Sequence, residues 1–384
     1  MLVFSTQYPN VAHPRLGEVT ERQTRHLADL SGIEVEVVAP VARYPFPLPS
    51  PATPAEIVTT GHWNGIAVHW PRYPVVPKLR SLDALFLAWR TLPLMRRIRE
   101  RFPFDVIAAQ YFWPEGPAAR RLSRRLGVPF SIKGRGPDVL SPARIPSNRR
   151  QMIAAARGSG GMLAVSHGLR KSMIELGMPG ERIEVHYTGA DHSHFYPRDR
   201  IAAKAALGLS GPVLLISGNI IQRKGQIRAV EALAQIPDAT LLIAGRGPGL
   251  AALERRTLEL GLEHRVRLLG AVDHAAMPLL NAAADVTLLP SRGEGLANAW
   301  VDSLCCGTPV VTTDVCGARE TIDRPEAGRI VADNPAALAE AVREILADPP
   351  LPEAVARAAD KFSWECNARE LETHLRRVAF GAAA

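Results

Sequence analysis

The segment Leu288-Leu-Pro-Ser-Arg-Gly-Glu-Gly-Leu-Ala-Asn-Ala-Trp-Val-Asp302 gathers residues whose types and spacing suit chemistry. An apolar strand ends at Pro290, a glycine-flanked acid follows at Glu294, and a helical pattern starts near Ala297. Glu294 is therefore expected at the carboxyl edge of a strand, beside the backbone amides of residues 295–298. Free N–H groups and about half a positive charge at a helix start suit a diphosphate. That leaves Glu294 to address the hydroxyls of an attached sugar. Asp302, eight positions on and inside the helix, can accept two hydrogen bonds from a ribose diol. A single glutamate reads equally well as solvated surface. The weight lies in the combination with Gly307-Thr-Pro-Val-Val311 just downstream.

A second cluster follows the run Pro212-Val-Leu-Leu-Ile-Ser217. Gly218-Asn-Ile-Ile-Gln-Arg-Lys-Gly225 joins a strand, a glycine-flanked turn, two cations and a helix start. Lys224 and Arg223 would add whole charges to the helix terminus at an anion site, though alone the stretch also fits a solvated basic turn. Gly245-Arg-Gly-Pro-Gly249 resembles a dinucleotide fingerprint only superficially. Pro248 interrupts it, and no acidic residue follows about 20 positions on in the right context. Cys305, Cys306, Cys316 and Cys366 lack Cys-x-x-Cys spacing and a histidine partner pattern, so they read as buried, reduced thiols rather than zinc ligands or disulfides.

These residues need a frame, and the apolar runs supply one. Leu2–Thr6, Val35–Ala39, Ile66–Trp70, Val106–Gln110, Pro129–Lys133 and Met162–Ser166 alternate with helical patterns in the first half. Val213–Ser217, Thr240–Ala244, Val266–Gly270, Val286–Pro290 and Pro309–Thr312 do so in the second. Apolar strands with helical crossovers imply parallel sheets covered on both faces, so two series make two doubly wound α/β domains. The join is expected within Gly189–Arg200. Tyr44–Pro54, rich in proline, reads as a loop, and a last helix is expected over Trp364–Val378. Ligands of such sheets bind beyond the carboxyl ends of the strands, which is where both clusters fall.

Length and charge agree with this frame. The 384 residues exceed what one core usually organises. No apolar run approaches the ~18 residues of a membrane-spanning helix. The first residues enter a strand at once, leaving no room for a signal peptide, and a cytoplasmic protein is expected. The net charge of +8 is unevenly placed: residues 1–190 carry +11 and the remainder −3. Arginines cluster at 96–101, 120–125 and 144–150. An anionic membrane surface, an acidic acceptor or a solvated helix face would each explain them. Nucleic acid is excluded as a partner, because no recognition motif or stacking platform accompanies the charge.

With these residues in view, the chain resembles family 4 of the retaining glycosyltransferases, which have the GT-B fold. The family's acid-x7-acid motif appears as Glu294 to Asp302 and its Lys-Gly element as Lys224-Gly225. Val165-Ser-His-Gly-Leu169, Tyr187-Thr-Gly-Ala-Asp191, Gly245-Arg-Gly-Pro248 and Gly307-Thr-Pro309 also look like the family. Tyr111-Phe-Trp-Pro-Glu-Gly116 and Arg135-Gly-Pro-Asp138 look like the subgroup making teichuronic-acid-type and other cell-surface polysaccharides. The resemblance implies two Rossmann-like domains with a cleft between them. Residues 1–190 would form the acceptor side, 191–362 would bind the nucleotide sugar, and 363–384 would form a helix returning to the first domain.

The resemblance also implies roles. Lys224 would neutralise the donor diphosphate and Glu294 would contact the transferred sugar. The amides of Gly295, Leu296 and Ala297 would bind phosphate or sugar, Asp302 the ribose, and Val272 would pack near the base. Gly17 would let backbone approach the donor, and Arg135 and Asp138 would lie on the acceptor side. Asn219 stands where the family often has arginine, so Arg223 is expected to supply that charge. The second acid is Asp rather than Glu, and Arg135 replaces a frequent histidine. The chemistry implied is retaining transfer without a metal or cofactor. The donor is a UDP-sugar ahead of a GDP-sugar, and the acceptor a glycan or lipid-linked sugar, with an anionic membrane surface as a further partner of the first half. A nucleotide-sugar 2-epimerase or phosphorylase, a non-catalytic sugar-nucleotide scaffold, and a nicotinamide-dependent oxidoreductase are the alternatives. The last is disfavoured because Ser5-Thr-Gln-Tyr-Pro9 lacks a glycine fingerprint.

Overall fold

The computed structural model describes residues 1–30, 32–44 and 58–381. The proline-rich stretch from 45 to 57 lies outside the described residues, and with it most of the loop expected there. The chain divides into two compact units, Met1–Gly189 with Trp364–Ala384, and Ala190–Ser363.

The first unit is built on β1 (Leu2–Phe4), β2 (Glu36–Val38), β3 (Val41–Arg43), β4 (Thr60–Trp63), β5 (Ile66–His69), β6 (Arg72–Pro74), β7 (Ile107–Ala109), β8 (Phe130–Gly134), β9 (Gly161–Ala164) and β10 (Ile183–Val185). Eight of them form one sheet in the order β10-β9-β8-β7-β1-β2-β5-β4, while β3 and β6 pair separately. The central strands β1 and β7 are short and wholly apolar, and Leu2, Phe4 and Ile107 are fully buried. Helical crossovers cover both faces, which explains why these strands read as apolar runs rather than alternating patterns. Among them are α1 (Glu18–Ala28), α2 (Asp83–Arg101) and α3 (Glu115–Leu126).

The β4–β5 pair is antiparallel, unlike its neighbours. Asn64 and Gly65 connect the two strands with positive φ at both positions. That geometry matches the twist of a two-residue hairpin and favours Asn-Gly. The helix Trp364–Phe380 belongs to this unit. Its Leu371 and Leu375 join Leu27, Val106, Ala108 and Leu163 in one apolar cluster, and His374 Nε2 meets Ser131 Oγ at 2.7 Å.

The second unit has six strands, β11 (Val213–Ser217), β12 (Thr240–Ala244), β13 (Val266–Gly270), β14 (Val286–Leu289), β15 (Val310–Thr313) and β16 (Gly328–Val331). They are parallel in the order β13-β12-β11-β14-β15-β16. Renumbered from one, this is 3-2-1-4-5-6, the order of nucleotide-binding doubly wound sheets, whose direction of winding reverses between the first and fourth strands. Here that point lies between β11 and β14. In the first unit it lies between β1 and β7.

Candidate functional site

The two charged clusters of the sequence come together beyond the ends of β11 and β14. After β11, Gly218 turns with φ of 127° and the short helix Gln222–Lys224 leads to Gly225, a left-handed residue with φ of 77°. A Cβ at Gly225 would collide with the Pro290 carbonyl. Glycine is therefore required where the two strand-end loops touch. The helix Gln226–Leu233 starts there, and Asn298–Cys305 starts just past Ala297, neither with a side-chain cap.

Glu294 lies at the centre and is 6% exposed. One oxygen, Oε1, receives Lys224 Nζ at 2.8 Å, Arg223 Nη1 at 3.1 Å and Ser291 Oγ at 2.7 Å. Arg223 Nη1 also donates to the Gly293 carbonyl, and the backbone N–H of Arg292 donates to the Arg223 carbonyl at 2.8 Å. The two loops are thus stitched by backbone as well as by charge. A buried carboxylate paired with two cations is stable only with such hydrogen bonding. The arrangement fixes both cations within about 3 Å of one atom, next to the amides of residues 295–297, and so preorganises positive potential for an anionic leaving group.

The other expected residues fall as follows. Leu296 and Ala297 are buried in the turn before Asn298–Cys305. The neighbouring Gly295 carbonyl lies where a Cβ at Gly317 would stand. Asp302 is a half-buried residue of that helix. Its charge adds to burial in pushing the Cys306 thiol up to about 12. Asn219 is exposed, and its carbonyl accepts from Gln226 Nε2 at 3.0 Å, which ties the turn to the following helix. Val272, just past β13, packs half-buried against a core cluster around Leu280 and Ala282. The glycines of Gly245–Gly249 have a structural use. A Cβ at Gly245 or Gly247 would overlap the carbonyl of Gly218 or Ile220, so the run seals the loops after β11 and β12 together. Two thiols, Cys305 and Cys306, are buried as expected, whereas Cys316 is half-buried and Cys366 exposed.

In the first unit Gly17 precedes α1 in the left-handed region, and a Cβ there would collide with the Gln7 carbonyl. Asp138 is taken up by backbone: Phe112 N donates to Oδ2 at 2.6 Å and Arg135 N to Oδ1 at 2.9 Å. Arg135 lies over the Tyr111 ring at 5.1 Å and donates to the Gln110 carbonyl at 3.0 Å. Sequence reasoning missed Glu115, although it quoted the segment containing it. This side chain is fully buried at the β1/β7 reversal. It accepts from Thr6 N and Oγ1 at 2.6 and 2.8 Å, from Gln110 N at 3.0 Å and from Tyr111 N at 2.8 Å. Burial pushes its carboxyl up to about 8 against the pull of these donors. Ser291 was likewise missed as a partner of Glu294. Its place after a strand-ending proline was visible, but its contact was not.

Two doubly wound sheets in one chain, the second with a cation–carboxylate cluster at its reversal, define a class, and sequence comparison agrees with it. Residues 16–189 match the model described as "Glycosyl transferase 4-like domain", and residues 197–362 that described as "Glycosyl transferases group 1". The chain is therefore a glycosyltransferase of the GT-B fold. A 2-deoxystreptamine glucosyltransferase of Streptomyces kanamyceticus is 29% identical over 316 residues, covering 74% of this chain and 81% of that protein. A D-inositol 3-phosphate glycosyltransferase of Jonesia denitrificans is 28% identical over 318 residues, covering 74% and 75%. Among solved structures, sucrose-phosphate synthase from Thermosynechococcus elongatus has a TM-score of 0.81 at 19% identity, covering 98% of both chains. Anabaena HepE in complex with UDP-glucose has a TM-score of 0.73 at 20% identity, covering 97% and 98%.

Proposed function

We propose that this glycosyltransferase moves a sugar from a nucleotide-sugar donor, a UDP-sugar ahead of a GDP-sugar, to a lipid-linked glycan, retaining the anomeric configuration and using no metal. The observation that carries the reading is the junction of Lys224, Arg223 and Glu294 at the β11/β14 reversal. Lys224 and Arg223 would neutralise the diphosphate, with the residue 295–297 amides completing its cradle. Arg223 takes the place of the charge missing at Asn219. Asp302 would hold the ribose and Val272 the base. Glu294 would release its cations to the phosphate and accept the sugar hydroxyls in their place as the donor enters. On this reading the acceptor oxygen bonds to the anomeric carbon as its bond to phosphate breaks. The acceptor proton passes to the leaving phosphate oxygen on the same face, and the fixed cations stabilise the charge that develops.

For the acceptor, the +11 of residues 1–190 supports an anionic leaflet, since each basic residue near such a surface contributes roughly 1 kcal/mol. Cell-surface polysaccharide synthesis is the corresponding role, with Arg135 as the acceptor-side contact and Asp138 shaping its loop, while Gly17 would let backbone approach the donor. A small soluble cyclitol is the second reading, favoured by the names of the two sequence relatives. A thermal-shift panel of nucleotide sugars, followed by product analysis with cyclitols and with lipid-linked glycans, tests both. A donor at ~100 times its dissociation constant should stabilise the protein by ~2.7 kcal/mol. No shift with any nucleotide or nucleotide sugar would remove the donor assignment. Net inversion in the product, or loss of activity in EDTA with rescue by magnesium, would remove the mechanism while leaving the transferase.

A further inference from the structure

The first unit buries a lysine that the donor chemistry does not use. Lys133 lies on β8 and is only 2% exposed. Its Nζ lies 2.9 Å from Gln23 Oε1 on α1 and 2.7 Å from Nδ1 of His186, just past β10. Neither partner is a carboxylate, the group that ordinarily accompanies a lysine buried so deeply. Burial pushes the Lys133 ammonium well below the ordinary lysine range, and holds the His186 imidazole well below its own.

The partners fix one another's orientation. His186 Nε2 lies 2.9 Å from the carbonyl of Asn367 in the C-terminal helix, and a carbonyl oxygen only accepts. Nε2 therefore carries the ring proton, and Nδ1 accepts from Lys133. Gln23 turns its amide oxygen to Lys133, which leaves its NH2 to donate to Gln110 Oε1 at 3.2 Å. Both glutamines are buried, so neither amide can turn over without leaving a polar group unpaired. Their two oxygens then converge on Arg135, whose Nη2 donates to Gln23 at 3.3 Å and to Gln110 at 3.1 Å. Nε donates to the Gln110 carbonyl, and the Tyr111 ring lies against the guanidinium face. The plane and rotation of the guanidinium are thereby set, and Nη1 is the end left without a partner among the described residues. Without the donor at Lys133, the Gln23 amide could turn over and set its NH2 against Arg135, donor against donor.

We propose that Lys133 is a positioning residue for the acceptor, setting through Gln23 and Gln110 the direction in which Arg135 presents Nη1 to an acceptor oxygen. The inference rests on the reading of Arg135 as the acceptor-side contact. Lys133 itself is sealed from any ligand and acts only through its neighbours.

The test uses the full chain with Lys133→Met and, separately, Gln23→Leu, each of which removes one link. Ser131→Ala, which loses the bond to His374 on the same strand, controls for loosening of β8. UDP should shift the melting temperature of every variant as it does the wild type, because the donor site lies in the other unit. Nitrogen NMR reads hydrogen exchange at the Arg135 Nε–H, identified by its loss in Arg135→Lys. Exchange should speed up about tenfold or more in Lys133→Met and Gln23→Leu, as expected when hydrogen bonds to a charged group are lost, and stay as in the wild type in Ser131→Ala. Steady-state transfer to the acceptor found by product analysis should show an acceptor KM raised about tenfold in the same two variants, with the donor KM unchanged. Unchanged exchange in both variants, or equal acceleration in Ser131→Ala, overturns the positioning of Arg135 by Lys133. Faster exchange with an unchanged acceptor KM overturns the acceptor role instead, a failure of the functional reading of Arg135 alone.

Discussion

The two sheets reverse their winding in the same way, yet the carboxylates at the two reversals are used differently. At β1/β7, Glu115 is sealed and receives only backbone amides and one threonine hydroxyl. At β11/β14, Glu294 is held by two side-chain cations and one serine. An acid saturated by amides from three strand-end residues pins loops and has little capacity for a ligand. An acid paired with lysine and arginine at a partly open edge can exchange those partners for a substrate. Position at a strand's carboxyl end marks a place where function can be built, and the identity of the donors decides whether it is.

The largest effect that would sharpen this contrast is on turnover. Lys224→Ala should weaken binding of donor and of free nucleoside diphosphate, and Glu294→Gln should mainly lower kcat. Each loss should be ~10²–10³, typical for a preorganised electrostatic contact. Steady-state kinetics with both variants within about threefold of wild type would break the assignment of the second reversal. At the first reversal, Glu115→Ala should instead cost stability. It leaves three backbone N–H groups without an acceptor, at about 1–3 kcal/mol each, so urea denaturation should show a loss on the order of 3 kcal/mol or more.

Glu115 also gives a pH signature. Its folded carboxyl is raised to about 8 from an ordinary 4.5, so folding takes up a proton between those values. The corresponding stability is complete below about pH 4.5 and is lost as the pH rises through about 8. Melting temperatures across that window should fall in the wild type and stay flatter in Glu115→Gln. A wild-type profile as flat as that of the variant would contradict the burial argument.

Gly225→Ala places a Cβ against the Pro290 carbonyl at a left-handed φ. It should lose about 1–3 kcal/mol and reduce donor binding together with stability, because it parts the two loops that hold Glu294. The smallest effect is expected at Arg319, whose pairing with Asp314 is exposed on both sides. Arg319→Ala should leave the urea denaturation midpoint unchanged, because solvent screens a fully exposed pair. A measurable loss would mean that surface charge matters more in this unit than its geometry suggests.

Much of the fold was legible in the chain because buried parallel strands must be apolar on both faces. Val213–Ser217, Thr240–Ala244 and Val266–Gly270 were read with the bounds they adopt. The helix after Glu294 was expected near Ala297 and begins at Asn298. The β4 hairpin strand was missed, since Thr60–Trp63 is half-exposed at the sheet edge and carries no apolar run. Its Asn64-Gly65 turn was the local signal that could have revealed it.

The sequence by itself determined the two series of strands, the charge asymmetry, and the placement of Lys224 and Glu294 at strand ends. These depend on local pattern, and local pattern survives without knowledge of what packs against what. Tertiary structure alone decided that Lys224, Arg223 and Ser291 converge on one oxygen of Glu294, that Glu115 is sealed, and that Lys133 meets Gln23 and His186 in one buried network. The physical reason is separation along the chain. Residues 70 apart, such as Lys224 and Glu294, or 109 apart, such as Thr6 and Glu115, meet only once the order of strands in a sheet is fixed. That order is set by the packing of whole crossovers, which no short segment encodes.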